Sequence, residues 1–141
     1  MKLFFTTLTI IFISFGANAS SITVENLYKR CKPFQNNGYT FEGLTLPQKW
    51  EARICKDVLS SLALKGTASC HMLNILRKNQ EITNKQFVRL AKLTANAPSI
   101  GNPVITSFLK YAENNPNDWG LRVPVITMKF LSSDFPCKIK E

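Results

Sequence analysis

A single histidine, His71, stands in this 141-residue chain, and acidic groups are scarce: nine Asp and Glu against eighteen Lys and Arg. These two shortages close most routes to catalysis. General acid–base chemistry needs a His or a carboxylate held against the reacting group, and a serine or thiol nucleophile needs such a base beside it. His71 directly follows Cys70, but sequence neighbours on a helix point in different directions, so the two do not make a Cys–His couple. There is no G-x-S-x-G, no H-E-x-x-H and no Gly-rich phosphate loop. The cysteines Cys31, Cys55, Cys70 and Cys137 are separated by 24, 15 and 67 residues with no C-x-x-C, which excludes the usual zinc spacings. No cofactor and no metal are expected, and the chain is expected not to be an enzyme. Past Phe15 no apolar run approaches the roughly 20 residues that a membrane span needs. Internal repeats, low-complexity tracts and strand-like alternation are also missing. A chain so equipped is suited to binding.

What is present begins with an export signal. Met1-Lys2 is a short positive region, Leu3 to Phe15 is apolar, and Ala17-Asn18-Ala19 is a small-x-small cleavage site. Cleavage is expected after Ala19, which makes 1–19 a signal peptide and 20–141 a single domain delivered to the periplasm. An uncleaved anchor is the alternative, and the shortness of the apolar run weighs against it. In an oxidising compartment an even number of cysteines suggests two disulfides. Cys55 and Cys70 lie along what reads mostly as one helix, ~22 Å apart at 1.5 Å per residue, beyond bonding reach. The preferred pairing is Cys31–Cys55 with Cys70–Cys137, and the crossed pairing, Cys31–Cys70 with Cys55–Cys137, stays open. The net charge of +9 falls by one when Lys2 leaves with the signal. Such a balance suits an acidic partner surface, an anionic envelope or nucleic acid. Export argues against nucleic acid. The basic residues are scattered, so a merely soluble basic surface is weighed equally.

Helical patterns fill the remainder. Thr23 caps a first helix with Val24, Leu27, Tyr28 and Cys31 on one stripe, expected to end by Pro33. Tyr39, Phe41 and Leu44 are too apolar for a solvated loop and are expected to lie on the body. Pro47 opens a central helix over 47–65 with Trp50, Ile54, Val58 and Leu62 on one side and Cys55 and Leu59 widening the stripe. Gly66 is expected to loosen it, with an apolar pattern resuming through 66–77. Thr83 and Gln86 form a capping-box pattern before a helix with Phe87, Leu90, Ala91 and Thr94 inward and Lys85, Arg89 and Lys92 outward. Trp50 and Phe87 sit at core spacing. Residues 96–103 (NAPSIGNP) hold two prolines and a glycine and read either as a protruding loop or as a plain connector. Ile105, Phe108, Leu109, Ala112 and Tyr111 then share a stripe, and Asn114-Asn115-Pro116 stops that helix. Trp119 stands in a polar turn, where it is either an exposed interface anchor or a lid over the helix ends. Pro124 starts a last helix with Ile126, Phe130 and Leu131 inward and Met128 filling a gap. Phe135-Pro136-Cys137 closes it. The expected fold is all-α, a compact bundle of about five helices with two disulfides.

The closing stretch carries a resemblance. A tyrosine-bearing helix ending in Asn-Pro, a short polar link, a Pro-started helix and Phe135-Pro136-Cys137 look like the end of the Rap1a/Tai immunity proteins. Those are small secreted bacterial proteins that neutralise peptidoglycan-amidase toxins delivered by type VI secretion. The signal peptide, a first short helix ending in Cys31 and a helix bracketed by Cys55 and Cys70 resemble the family too. In place of the family's Gly-Tyr-x-x-Gly-like pattern the central helix reads CKDVLSSLALKG. The resemblance implies a periplasmic inhibitor that occludes the cleft of a cognate amidase effector with a loop, often as a homodimer. Ala97, Pro98, Ser99, Ile100, Gly101 and Asn102 are the candidate toxin-binding loop, chosen on sequence character, and Trp119 is the candidate anchor. Two other readings compete: a periplasmic holdase or stress protein, and a basic helical protein acting on anionic envelope components.

Overall fold

A hydroxyl group opens each of the first three helices. Thr23 accepts a hydrogen bond from the Asn26 amide, while Thr45 with Gln48 and Thr83 with Gln86 close reciprocal capping boxes. A computed structural model of the protein describes residues 21–98 and 101–139; the expected signal segment 1–19, Ser99 and Ile100 lie outside the described residues. The helices are α1 (Val24–Asn36), α2 (Leu46–Lys78), α3 (Asn84–Ala91), α4 (Asn102–Asn114) and α5 (Val123–Asp134), with a 3-10 turn at Pro116–Asp118. Pro47, Pro103 and Pro124 each occupy a first helical turn, where the missing N–H leaves no bond unmade. Among the described residues there is no strand, only isolated bridges at Thr23–Arg122 and Ala95–Pro136. The fold is all-α, as expected.

α2 is the spine. Its 33 residues run unbroken, a rod of roughly 50 Å at 1.5 Å per residue. Gly66 does not loosen it. A Cβ at that position would lie 3.4 Å from the Ala95 Cβ and 3.6 Å from the Ala95 backbone nitrogen and oxygen. The glycine is therefore a point of close approach, which lets the segment after α3 pass tightly across the rod. α1 also runs past its expected end. Pro33 sits inside it, and the last turn holds because Phe34 is buried against the rings of Phe41 and Tyr39, at 4.9 and 5.8 Å between centroids. Asn37 then donates through its side chain to the carbonyls of Thr40 and Glu42. This folds Tyr39, Phe41 and Leu44 back onto the body.

The buried residues form two groups. The larger joins α1, α2, α4 and α5 around α4, whose Ile105, Phe108, Leu109 and Ala112 are all buried. The smaller consists of Cys70, Leu73, Phe87 and Cys137, with Ile82 and Ala91 packed against it. One disulfide serves each. Cys31–Cys55 ties α1 to α2 with Cα atoms 5.2 Å apart, and Cys70–Cys137 brings the segment after α5 back to α2 with 5.6 Å. The preferred pairing is the one formed.

Two inward assignments are corrected. Trp50 is 64% exposed and Leu90 lies at the surface. The row Trp50, Ile54, Val58, Leu62 advances by four residues at each step, and four residues turn an α-helix by about 400°, a drift of about 40° per step. A row that ends in the core at Leu62 therefore begins, three steps earlier, facing water.

Candidate functional site

The segment after α3 is held against the body as far as Ala97. The Asn96 amide donates to the Phe135 carbonyl at 2.8 Å, and the Thr67 hydroxyl donates to the Ala97 carbonyl at 2.7 Å. Ala97 is 3% exposed, so it anchors the segment and does not reach outward. Pro98 is exposed. Gly101 takes a φ of +137°, a conformation that favours glycine, and Asn102 already belongs to α4. Of the six candidate loop residues, Ala97 and Asn102 are thus drawn into the scaffold, while Ser99 and Ile100 lie outside the described residues.

Trp119 is the lid. Its indole N–H donates to the Ala112 carbonyl at 2.8 Å, satisfying one of the open groups at the end of α4. Its ring lies 5.3 Å from that of Tyr28. The exposed indole is Trp50, beside an exposed Leu46 one helical turn earlier. No motif marks it, although the drift of its i+4 row away from Leu62 is legible in the sequence.

Two charged knots hold the helices beside Trp119. Tyr28 donates to Glu113 at 3.0 Å and Lys32 to the same carboxylate at 2.6 Å, joining α1 to α4. Tyr111 donates to Asp118, and Lys129 of α5 does so at 3.0 Å. Hydrogen bonds from Lys32 and then Tyr28 hold Glu113 below the usual carboxylate range; those from Tyr111 and then Lys129 do the same for Asp118. A carboxylate depressed in the fold contributes stability that is present above its unfolded pKa and is lost as pH falls through the folded one. The urea midpoint should therefore stay level near neutrality and drop as pH falls below about 4. In Glu113→Gln/Asp118→Asn the acid limb should be shallower. An identical limb in the double variant would show that the knots play no part in acid stability.

A hollow of about 470 Å³ lies between α2 and α3, lined by Ala68, Ser69, Met72 and Leu73 on one side and Leu90, Leu93 and Thr94 on the other. Its walls are mostly apolar and stand open to solvent: Met72 is 55% and Leu93 67% exposed. A second hollow, of about 190 Å³ between α4 and α5, is polar and includes Ser107, Tyr111, Asn115 and Lys129. His71 is exposed and lines neither. Among the described residues no three His, Cys, Asp or Glu side chains are gathered closely enough to hold a metal. No helix among them is long and apolar enough to cross a membrane. The larger hollow offers contact area and adaptable side chains, with no carboxylate or imidazole among the residues that line it. Comparison with protein-family models, with curated proteins and with solved structures finds no match.

Proposed function

We propose that this chain is an exported immunity protein that binds a peptidoglycan-amidase toxin delivered by type VI secretion and occludes its catalytic cleft in the periplasm. The observation that carries this reading is the closing segment. α4 ends at Asn-Pro, α5 carries Pro124 in its first turn, and Phe135-Pro136-Cys137 is fastened to α2 through Cys70, the order in which it resembles the Rap1a/Tai proteins. Two disulfides suit an oxidising compartment, where a toxin that attacks the wall must be met. A scaffold tied at both ends of its spine loses little conformational freedom on docking, which favours tight inhibition. The expected partner is the amidase, with no bond made or broken by this chain itself.

The test is co-purification with the product of the adjacent gene, then a wall-hydrolysis assay with and without this protein. Stoichiometric loss of hydrolysis is the expected result. Undiminished hydrolysis at excess inhibitor would end the proposal. The exposed apolar hollow gives support to a second reading, a periplasmic holdase. Suppression of aggregation across unrelated clients, with no effect on any amidase, would favour it.

A further inference from the structure

We propose that the hollow between α2 and α3 is the surface that receives the toxin, and that its occupant is an amphipathic segment with an apolar face and flanking carboxylates. This rests on the immunity reading and specifies the site. Leu64, Ala68, Met72 and Ile75 recur at i, i+4, i+8 and i+11, which sets them on one stripe of α2. Leu64, Met72 and Ile75 are all exposed, as are Leu90 and Leu93 across the hollow. Of these, Ala68, Met72, Leu90 and Leu93 line one concave surface, the arrangement that accepts a helix face laid into a groove, and Leu64 and Ile75 extend its apolar stripe along α2.

The charge around the hollow identifies the occupant. Residues 64–94 carry six Lys and Arg and a single carboxylate, Glu81, which lies in the turn between the helices, where Asn79 donates to it. Lys65 is one turn before Ser69 on α2. Arg89 is one turn before Leu93, and Lys92 is next to it. All three are exposed, and the ion pairs among the described residues use other side chains. Their charge is thus left for a partner, and an apolar segment bordered by Asp and Glu complements it. A second copy of this chain would set like charges against each other. A bilayer would leave the concave part unfilled. The segment after α3 also begins at this rim, since Thr67, next to Ala68, holds Ala97.

The experiment measures binding of the disulfide-intact protein to the amidase of the wall-hydrolysis assay by calorimetry, for wild type, Leu93→Glu, Met72→Glu, Arg89→Glu/Lys92→Glu and Trp50→Ala. Leu93→Glu and Met72→Glu should weaken binding by roughly 30-fold or more, the scale of a central interface residue. Arg89→Glu/Lys92→Glu should slow association and flatten its salt dependence. Trp50→Ala, about 33 Å from Met72 along the α2 rod, should bind as wild type does. Leu93 is exposed, so its variant keeps the fold, which a far-UV spectrum checks. Wild type failing to bind the amidase would remove the immunity reading and this site together. Wild type binding while both groove variants bind equally well would overturn the site alone. So would loss in Trp50→Ala only, a dimer dispersed by Leu93→Glu, or salt-sensitive binding to phosphatidylglycerol vesicles through Leu93 with amidase binding untouched.

Discussion

Cys70→Ser/Cys137→Ser should lower the unfolding free energy by about 4 kcal/mol. The bond closes a chain segment with a sequence separation of 67, and a cross-link over a segment that long removes much conformational freedom from the unfolded chain. Both sulfurs also belong to the smaller buried group, whose other buried members among the described residues are Leu73 and Phe87. The damage should therefore be uneven. α3 and the last turns of α2 should lose amide protection first, while α1, α4 and α5, joined through the larger group and Cys31–Cys55, keep theirs. Urea unfolding with hydrogen exchange on the wild type and the double variant reads both effects. A loss under about 1 kcal/mol, or uniform deprotection, would show that this bond does not organise that end of the molecule.

Phe108→Ala should cost about 3–5 kcal/mol, the range for emptying a buried aromatic site. Phe108 is fully buried at the middle of α4 and meets Phe130 of α5 ring to ring, with centroids 5.8 Å apart and planes 63° apart. α4 packs against α1, α2 and α5, so the cavity would open where three helices converge and none can close it without leaving another contact. Against a usual total of about 5–15 kcal/mol, such a variant is close to unfolding at body temperature. Val88→Ala on the exposed side of α3 is the comparison, expected within about 0.5 kcal/mol of wild type. Urea midpoints with unchanged slopes measure the difference. If Phe108→Ala behaves like Val88→Ala, α4 is not the centre of the bundle.

Local chemistry made much of this fold legible. Thr23, the Thr83–Gln86 pair and Pro124 marked helix starts because caps and first-turn prolines act within four residues. Asn115-Pro116 marked a stop for the same reason. One distance along one helix ruled out Cys55–Cys70 and left two pairings, of which the preferred one is formed. The misreadings share a cause, which is that periodicity gives the direction of a stripe but not the reach of its neighbours. Trp50 continues a row that is buried only further along, and Leu90 lies on an apolar stripe that nothing covers. Gly66 reads as a break in sequence and is a contact in space, because Ala95 arrives from 29 residues away. Pro33 was expected to end α1, but Phe34, Tyr39 and Phe41 hold the turn that follows it.

The candidate site was the least legible part. Residues 96–103 drew attention by composition, yet the inward turn of Ala97 depends on Thr67, which no local pattern singles out. The hollow between α2 and α3 is formed in part from Met72, which lies within the apolar pattern read through 66–77, and Leu93, which fell outside every pattern. It exists only because α3 is short and stops at Ala91, leaving the far side of α2 bare.

Among the described residues, α3 commits one side chain, Phe87, to an interior. Its remaining surface is therefore free to change in composition with little effect on whether the protein folds. New specificities could accumulate there by ordinary point substitution, while the larger bundle goes on folding as before. If the chain is the inhibitor proposed above, it could follow a drifting target without being remade.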